Sequence, residues 1–303
     1  MTLTADDPRL LHLADRLWCR PMGETGSSRP PIRLDLRVES PGDAVTGRLT
    51  ESWTVHRDTV ELKLGNQLGV TADVTSATIT GWVSADLLRH DPGLIARLLL
   101  EVPVAALLQR RGYAAVHAAA IAGPRGAVVL RGAPGSGKST LAAAAHLAGM
   151  DVLGDESVLV ARDDPDDLLA AVRDPTLEPD TARLLGLADR LSPATERAGP
   201  KQRLDLFASA TATGRARRRV ATVILGPRDD GPARLDAIDA DTFASEFRNG
   251  GIREERWAAP ARHIKTAWSR TGAYRLSGAT DLRGAIALLA ALVGHNLGEG
   301  SPA

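Results

Sequence analysis

Aromatic side chains are scarce: 5 Trp, 2 Tyr and 3 Phe make up 3% of 303 residues. The core must therefore be packed from Leu, Val, Ile and Ala. Cysteine is nearly absent as well. Cys19 stands alone, which excludes a disulfide framework and a cysteine metal site and fits a reducing cytosol. No charge of one sign prevails, because Lys plus Arg and Asp plus Glu both number 37. That balance argues against nucleic acid as the main partner. Residues 1–7 lack the basic and apolar stretches of a secretory leader, and no apolar run reaches 18 residues. The sequence predicts a cytoplasmic protein with no membrane partner. What remains is an ordinary globular composition, 44% hydrophobic and 24% charged, long enough for one large domain or two modest ones.

One stretch carries most of the chemical information. Ala127-Val128-Val129-Leu130 leads into Gly132-Ala133-Pro134-Gly135-Ser136-Gly137-Lys138-Ser139, and Thr140-Leu141 opens an alanine-rich run. Strand, glycine-rich turn and helix are the setting in which G-x-x-x-x-G-K-[ST] cradles phosphate. The glycines let consecutive backbone N–H groups converge on an anion, and the helix N-terminus adds partial positive charge. Residues Gly132 to Thr140 are the expected nucleotide-binding set. Within it Lys138 reaches the outer phosphates and the Ser139 hydroxyl holds Mg²⁺.

Before this stretch, Ile32, Leu34, Leu36 and Val38 alternate with charged residues as in a half-buried strand. Similar short runs at Trp53–Val55, Val60–Leu64, Leu68–Val70 and Ile79–Val83 predict an antiparallel β segment over about 30–85. Helical periodicity follows from Asp86 to Arg111, interrupted at Asp91-Pro92-Gly93 and at Pro103. Ala115–Ile121 reads as a buried strand that turns at Gly123–Gly126 into the strand before the loop. Such a hairpin entry differs from a Rossmann sheet, whose parallel strands need a crossover helix. Beyond the loop, Gly149 caps the helix and Val152–Val160 reads as an apolar strand holding Asp155 and Glu156.

Later segments are plainer. Lys201 and Arg203 precede a short strand, and Arg215, Arg217, Arg218 and Arg219 form a solvated charge run before the core strand Val220–Leu225. Residues 241–270 read as helical and cationic, and a final helix, Leu282–Val293, is capped by Thr280. The predicted division is an N-terminal β-rich region (1–111), a P-loop domain (112–296) and a disordered tail (297–303).

His117, the loop and the Asp155-Glu156 pair are closely spaced. A carboxylate beside a γ-phosphate and an acceptor hydroxyl can take the hydroxyl proton while its neighbour holds the metal. Over roughly 113–162, the pattern of His117, Gly132–Ser139, Gly149 and Val152–Glu156 resembles the HPr kinase/phosphorylase catalytic domain and the HPr-kinase-like serine kinases. These include kinases that phosphorylate the C-terminal serine of lasso-peptide precursors. The resemblance implies a mixed α/β fold shared with phosphoenolpyruvate carboxykinase, ATP or another nucleotide or phosphate donor with Mg²⁺ as cofactors, and a homo-oligomer. It implies Asp155 as general base, Glu156 as metal-side acid, and His117 as the residue orienting carboxylate and phosphates. Lys201 and Arg203 are candidate phosphate or substrate contacts. Two features depart from that family. Asp155-Glu156 stands where it has Asp-Asp, and the glycine- and arginine-containing signature that grips HPr is missing. The expected acceptor is therefore a peptide or small protein other than HPr. The alternatives are a small-molecule kinase and a nucleotide-dependent ATPase switch.

Overall fold

The computed structural model describes residues 2–17, 31–40, 49–155, 157–170, 176–191, 202–203, 217–227, 229–248, 261–278 and 280–297. It divides into two compact units, one ending at Arg111 and the other beginning at Gly112.

In the N-terminal unit, β1 (Thr2–Ala5) and α1 (Pro8–Leu17) precede β2 (Arg33–Glu39), β3 (Glu51–Val55), β4 (Thr59–Leu64), β5 (Leu68–Asp73) and β6 (Thr78–Ser84). The strands lie in the order β1-β2-β6-β5-β4-β3. Period-two patterning sorts the two faces. Leu36, Val70 and Leu62 are buried on one side, while Asp35, Arg37, Glu61 and Lys63 stand on the other. Neighbours from β3 to β6 are antiparallel, but β2 runs parallel to β6 and β1 parallel to β2. The sheet is mixed rather than antiparallel, because alternation specifies the buried face and not the direction of the neighbouring strand. Strand β1 is four residues long and offers too short a pattern to read.

Helix α2 (Ala85–His90) is capped by the Ser84 hydroxyl, which accepts from Leu87 N. Then α3 (Pro92–Ile95), a π-helical segment (Ala96–Glu101) and α4 (Val102–Arg110) run on as one helix, Pro92–Arg110. Pro103 was expected to break it. The wider π turns before Pro103 accommodate its ring and its missing N–H instead. Among the described residues this is the one helix long and apolar enough to cross a membrane, and Leu98, Leu99 and Leu100 are buried within the fold.

The second unit contains β7 (Tyr113–Val116), β8 (Ala119–Gly123), β9 (Gly126–Arg131), α5 (Lys138–Leu147), β10 (Asp151–Gly154), β11 (Val158–Ala161), β12 (Asp167–Ala170), β13 (Thr176–Leu177), α6 (Pro179–Leu184), β14 (Gln202–Arg203), β15 (Arg217–Leu225), β16 (Arg234–Ala237), α7 (Ala240–Arg248), α8 (Ala261–Arg270), β17 (Ala273–Ser277) and α9 (Leu282–Val293). The fold is mixed α/β. Strands β9, β15 and β17 are mutually parallel, with β8 antiparallel to both β9 and β10. On one face, Val128 and Leu130 pack with Leu141 of α5 and Leu289 of α9. On the other, Val129 and Ile224 pack with Phe243, Phe247, Ile264 and Trp268 of α7 and α8.

Four readings are corrected here. Ala115–Ile121 is two strands, since the chain leaves one ladder at His117-Ala118 to join another. Val152–Val160 is likewise split into β10 and β11, so Asp155 lies in a connection and not inside a strand. Helix α9 is capped by Asp281, whose carboxylate accepts from Gly284 N, while Thr280 donates to the Asp229 carbonyl. The arginine run is not wholly solvated. Arg218 is exposed, but Arg219 is 4% exposed and paired with Asp166 at 2.8 Å. Its burial lowers the guanidinium pKa, and Asp166 opposes that shift. Strands β12, β16 and β17 gave no readable pattern.

Candidate functional site

Two ladders bring the sequence-predicted residues to one edge. In the first, β10 and β9 both run antiparallel to β8, so they end at the edge where β8 begins. The glycine loop leaves β9 there, Asp155 follows β10, and His117 precedes β8. In the second, β7 and β11 pair Val116 with Val158. The residue after Val116 and the connection before Val158 therefore share an end. Both routes bring His117 and Asp155 to the same end of the sheet.

The loop has the geometry its glycines allow. Gly135 and Gly137 adopt φ of +81° and +102°, in the left-handed region that side chains disfavour. No atom lies within 4 Å of where a Cβ on Gly135 would stand. At Gly132 a Cβ would lie 2.6 Å from Ser136 Oγ, so a side chain there displaces the serine. Ser136 Oγ is buried without a hydrogen-bond partner among the described residues. Leu141 N makes the helical bond to the Gly137 carbonyl. The N–H groups of Lys138, Ser139 and Thr140 form the first helical turn, which has no intrahelical acceptor. First-turn amides, left-handed glycines and a buried serine hydroxyl suit a phosphate chain.

Lys138 is 7% exposed, and its Nζ donates to the carbonyls of Gly132 (2.9 Å) and Ala133 (3.4 Å). Its ammonium is folded back on the loop. His117 is 6% exposed, and Asp155 is fully buried with both carboxylate oxygens inaccessible. Burial at this edge strengthens any charge interaction formed there.

The strands bring together His117, Gly132 to Thr140 and Asp155. Glu156 and Lys201 lie outside the described residues, so the metal-side acid and one candidate cation are not placed. Arg203 belongs to a separate two-stranded ribbon of β14 with β13, whose Leu177 packs on Ala143 of α5. Among the described residues, no three His, Cys, Asp or Glu side chains cluster as metal ligands, which leaves the Ser139 hydroxyl as the placed candidate.

Arg131 was not anticipated as a site residue. Its signal was a cation ending the apolar run Ala127–Leu130, directly before the loop. It is 1% exposed, with Nη1 donating to the His117 carbonyl at 3.0 Å and Nε to the Phe247 carbonyl at 2.7 Å. The guanidinium carbon lies 3.9 Å from the centre of the Phe247 ring, a cation–π contact.

No protein-family model matches the chain, and no curated protein matches it in sequence.

Proposed function

We propose that this chain is a Mg²⁺/ATP-dependent kinase that phosphorylates a serine hydroxyl of a peptide or small protein. The favoured acceptor is the C-terminal serine of a lasso precursor peptide, and the working form is a cytoplasmic homo-oligomer. The observation that supports a phosphotransferase is the convergence of the glycine loop, His117 and Asp155 at one end of the sheet. Residues Gly132 to Thr140 would hold the nucleotide phosphates, and Ser139 with Glu156 the metal. When bound, ATP supplies the phosphoryl group and Mg²⁺ screens its charge.

The chain's own residues have distinct tasks. The first-turn amides of α5 orient the phosphates, and the Lys138 ammonium moves from loop carbonyls to phosphate oxygen. Asp155 accepts the acceptor's hydroxyl proton, and His117 holds that carboxylate in place. Burial excludes water from competing as nucleophile. Catalysis is then chiefly positioning and electrostatic stabilisation.

A second acceptor class, a free amino acid or sugar, is favoured by the full burial of Asp155. Mass-spectrometric phosphotransfer with ATP, Mg²⁺, serine-containing peptides and free serine separates these cases. Phosphate gained on a serine-ended peptide, and lost with Lys138→Ala, supports the peptide kinase. Phosphate on free serine alone moves the acceptor to a small molecule. ATP hydrolysis with every acceptor untouched overturns the kinase in favour of an ATPase switch.

A further inference from the structure

Arg131 has no role in the kinase reading as drawn so far, although its guanidinium is one of the most deeply buried charges in the protein. Its place on β9 faces the cluster of Val129, Ile224, Phe247 and Trp268, where an aliphatic residue would pack without loss of hydration. What an aliphatic residue cannot do is donate in two directions. The Arg131 fork takes the carbonyl of His117 as the chain leaves the β7 ladder, and the carbonyl of Phe247 in the last turn of α7. One carbonyl sits at a strand switch, the other in the last turn of a helix. The helix end also carries partial negative charge, which a cation there complements. Arg131 ends β9, and the next residue is Gly132, the first of the loop.

We propose that Arg131 is a positioning residue of the phosphate site, joining the His117 strand switch and the end of α7 to the root of the loop. It touches no reacting atom. It fixes where the His117 backbone turns and where β9 releases the loop, and so the spacing between imidazole and phosphate cradle. The proposal deepens the kinase reading and rests on it for its catalytic consequence, but the anchoring itself is measurable without turnover.

The test compares Arg131→Lys and Arg131→Met with the wild-type full chain. Lysine keeps the charge but loses the two-pronged fork; methionine keeps the stem alone. Hydrogen exchange is expected to speed up at 117–119 and 132–140 in both variants, with β15 and β17 unchanged. With an accepted substrate, kcat is expected to fall about tenfold to a hundredfold, as for a small misplacement of reacting groups, with KM for the acceptor held within about threefold. Wild-type kcat and exchange in Arg131→Lys would overturn the fork. Uniformly faster exchange throughout the second unit would overturn it too, by assigning Arg131 to general stability. If Arg131→Met does not fold, Arg131→Lys alone decides. If the wild type transfers phosphate to no acceptor, the kinase reading fails while the exchange pattern still judges the anchor.

Discussion

The two units bury polar groups for different ends. Among the described residues of the N-terminal unit the buried polar ones are Gln67, Ser84, Asp91 and Gln109. Ser84 and Asp91 cap helices through Leu87 N and Leu94 N, and Gln67 takes the Ser84 hydroxyl. Asp91, the charged member, ends its carboxylate on a backbone amide. Gln67, Ser84 and Asp91 thus finish local structure. The second unit buries Asp155, Lys138, His117 and Arg131 around a single sheet edge, each brought there by a different strand end or loop. Several buried ionisable groups at one edge are costly to fold, which is the pattern a working site would show. What separates the two sets is charge: the first unit buries mostly neutral groups that finish turns and caps, the second gathers several ionisable side chains at one end of a sheet.

Substitutions can break that comparison at either end. Lys138→Ala should reduce phosphotransfer by about a thousandfold or more, with a melting temperature close to wild type. Turnover by mass spectrometry and a thermal scan check it, and activity retained would remove the loop from the chemistry. Asp155→Asn should lower turnover by about a hundredfold to ten-thousandfold while nucleotide affinity by calorimetry changes little. Near-wild-type turnover would sink the base assignment.

The N-terminal unit should answer with stability alone. A Cβ at Gly81 would lie 2.6 Å from Leu99 Cδ1, so Gly81→Val overpacks the helix against the sheet. A loss of about 1–3 kcal/mol in chemical denaturation is expected, with nucleotide affinity unchanged. Ser84→Ala removes the α2 cap and should cost about 1 kcal/mol in the same assay.

The smallest effect expected is a pH-dependent one. Backbone donation from Gly284 N, then from Ala233 N, holds the Asp281 carboxyl below the ordinary aspartate value. A carboxyl depressed on folding contributes stability above its unfolded pKa, near pH 4, and loses it as pH falls through the folded value. Asp281→Ala should therefore lower the urea midpoint slightly at pH 7 and by less at pH 2.5. An equal loss at both pH values would make the cap's contribution independent of its charge.

Legibility in the sequence followed the reach of each signal. The alternation from Ile32 to Val38 marked β2 because one face of that strand is buried and the other wet. The eight-residue glycine motif marked the loop because its chemistry is contiguous. The break at His117 was hidden, since both flanking strands are apolar and nothing local signals a change of partner. Arg131 was hidden for the same reason: its acceptors, the carbonyls of His117 and Phe247, are distant in the chain. Strand β12 begins inside an acidic run, and Asp281 took the cap from its neighbour Thr280 because its carboxylate reaches Gly284 N.

Strand β9 carries a consequence for synthesis. One neighbour, β8, precedes it across a tight turn, but the other, β15, is made only with the last third of the chain. All six residues of β9 are buried in the finished sheet. Until β15 emerges from the ribosome, β9 is therefore an apolar edge with unmade hydrogen bonds, open to pairing with another nascent chain. A fragment ending before β15 carries the whole glycine motif, yet lacks the strand that flanks β9 on its open side. Truncation mapping of the proposed nucleotide site from the C-terminus should thus report insolubility well before it reaches a single residue of the loop.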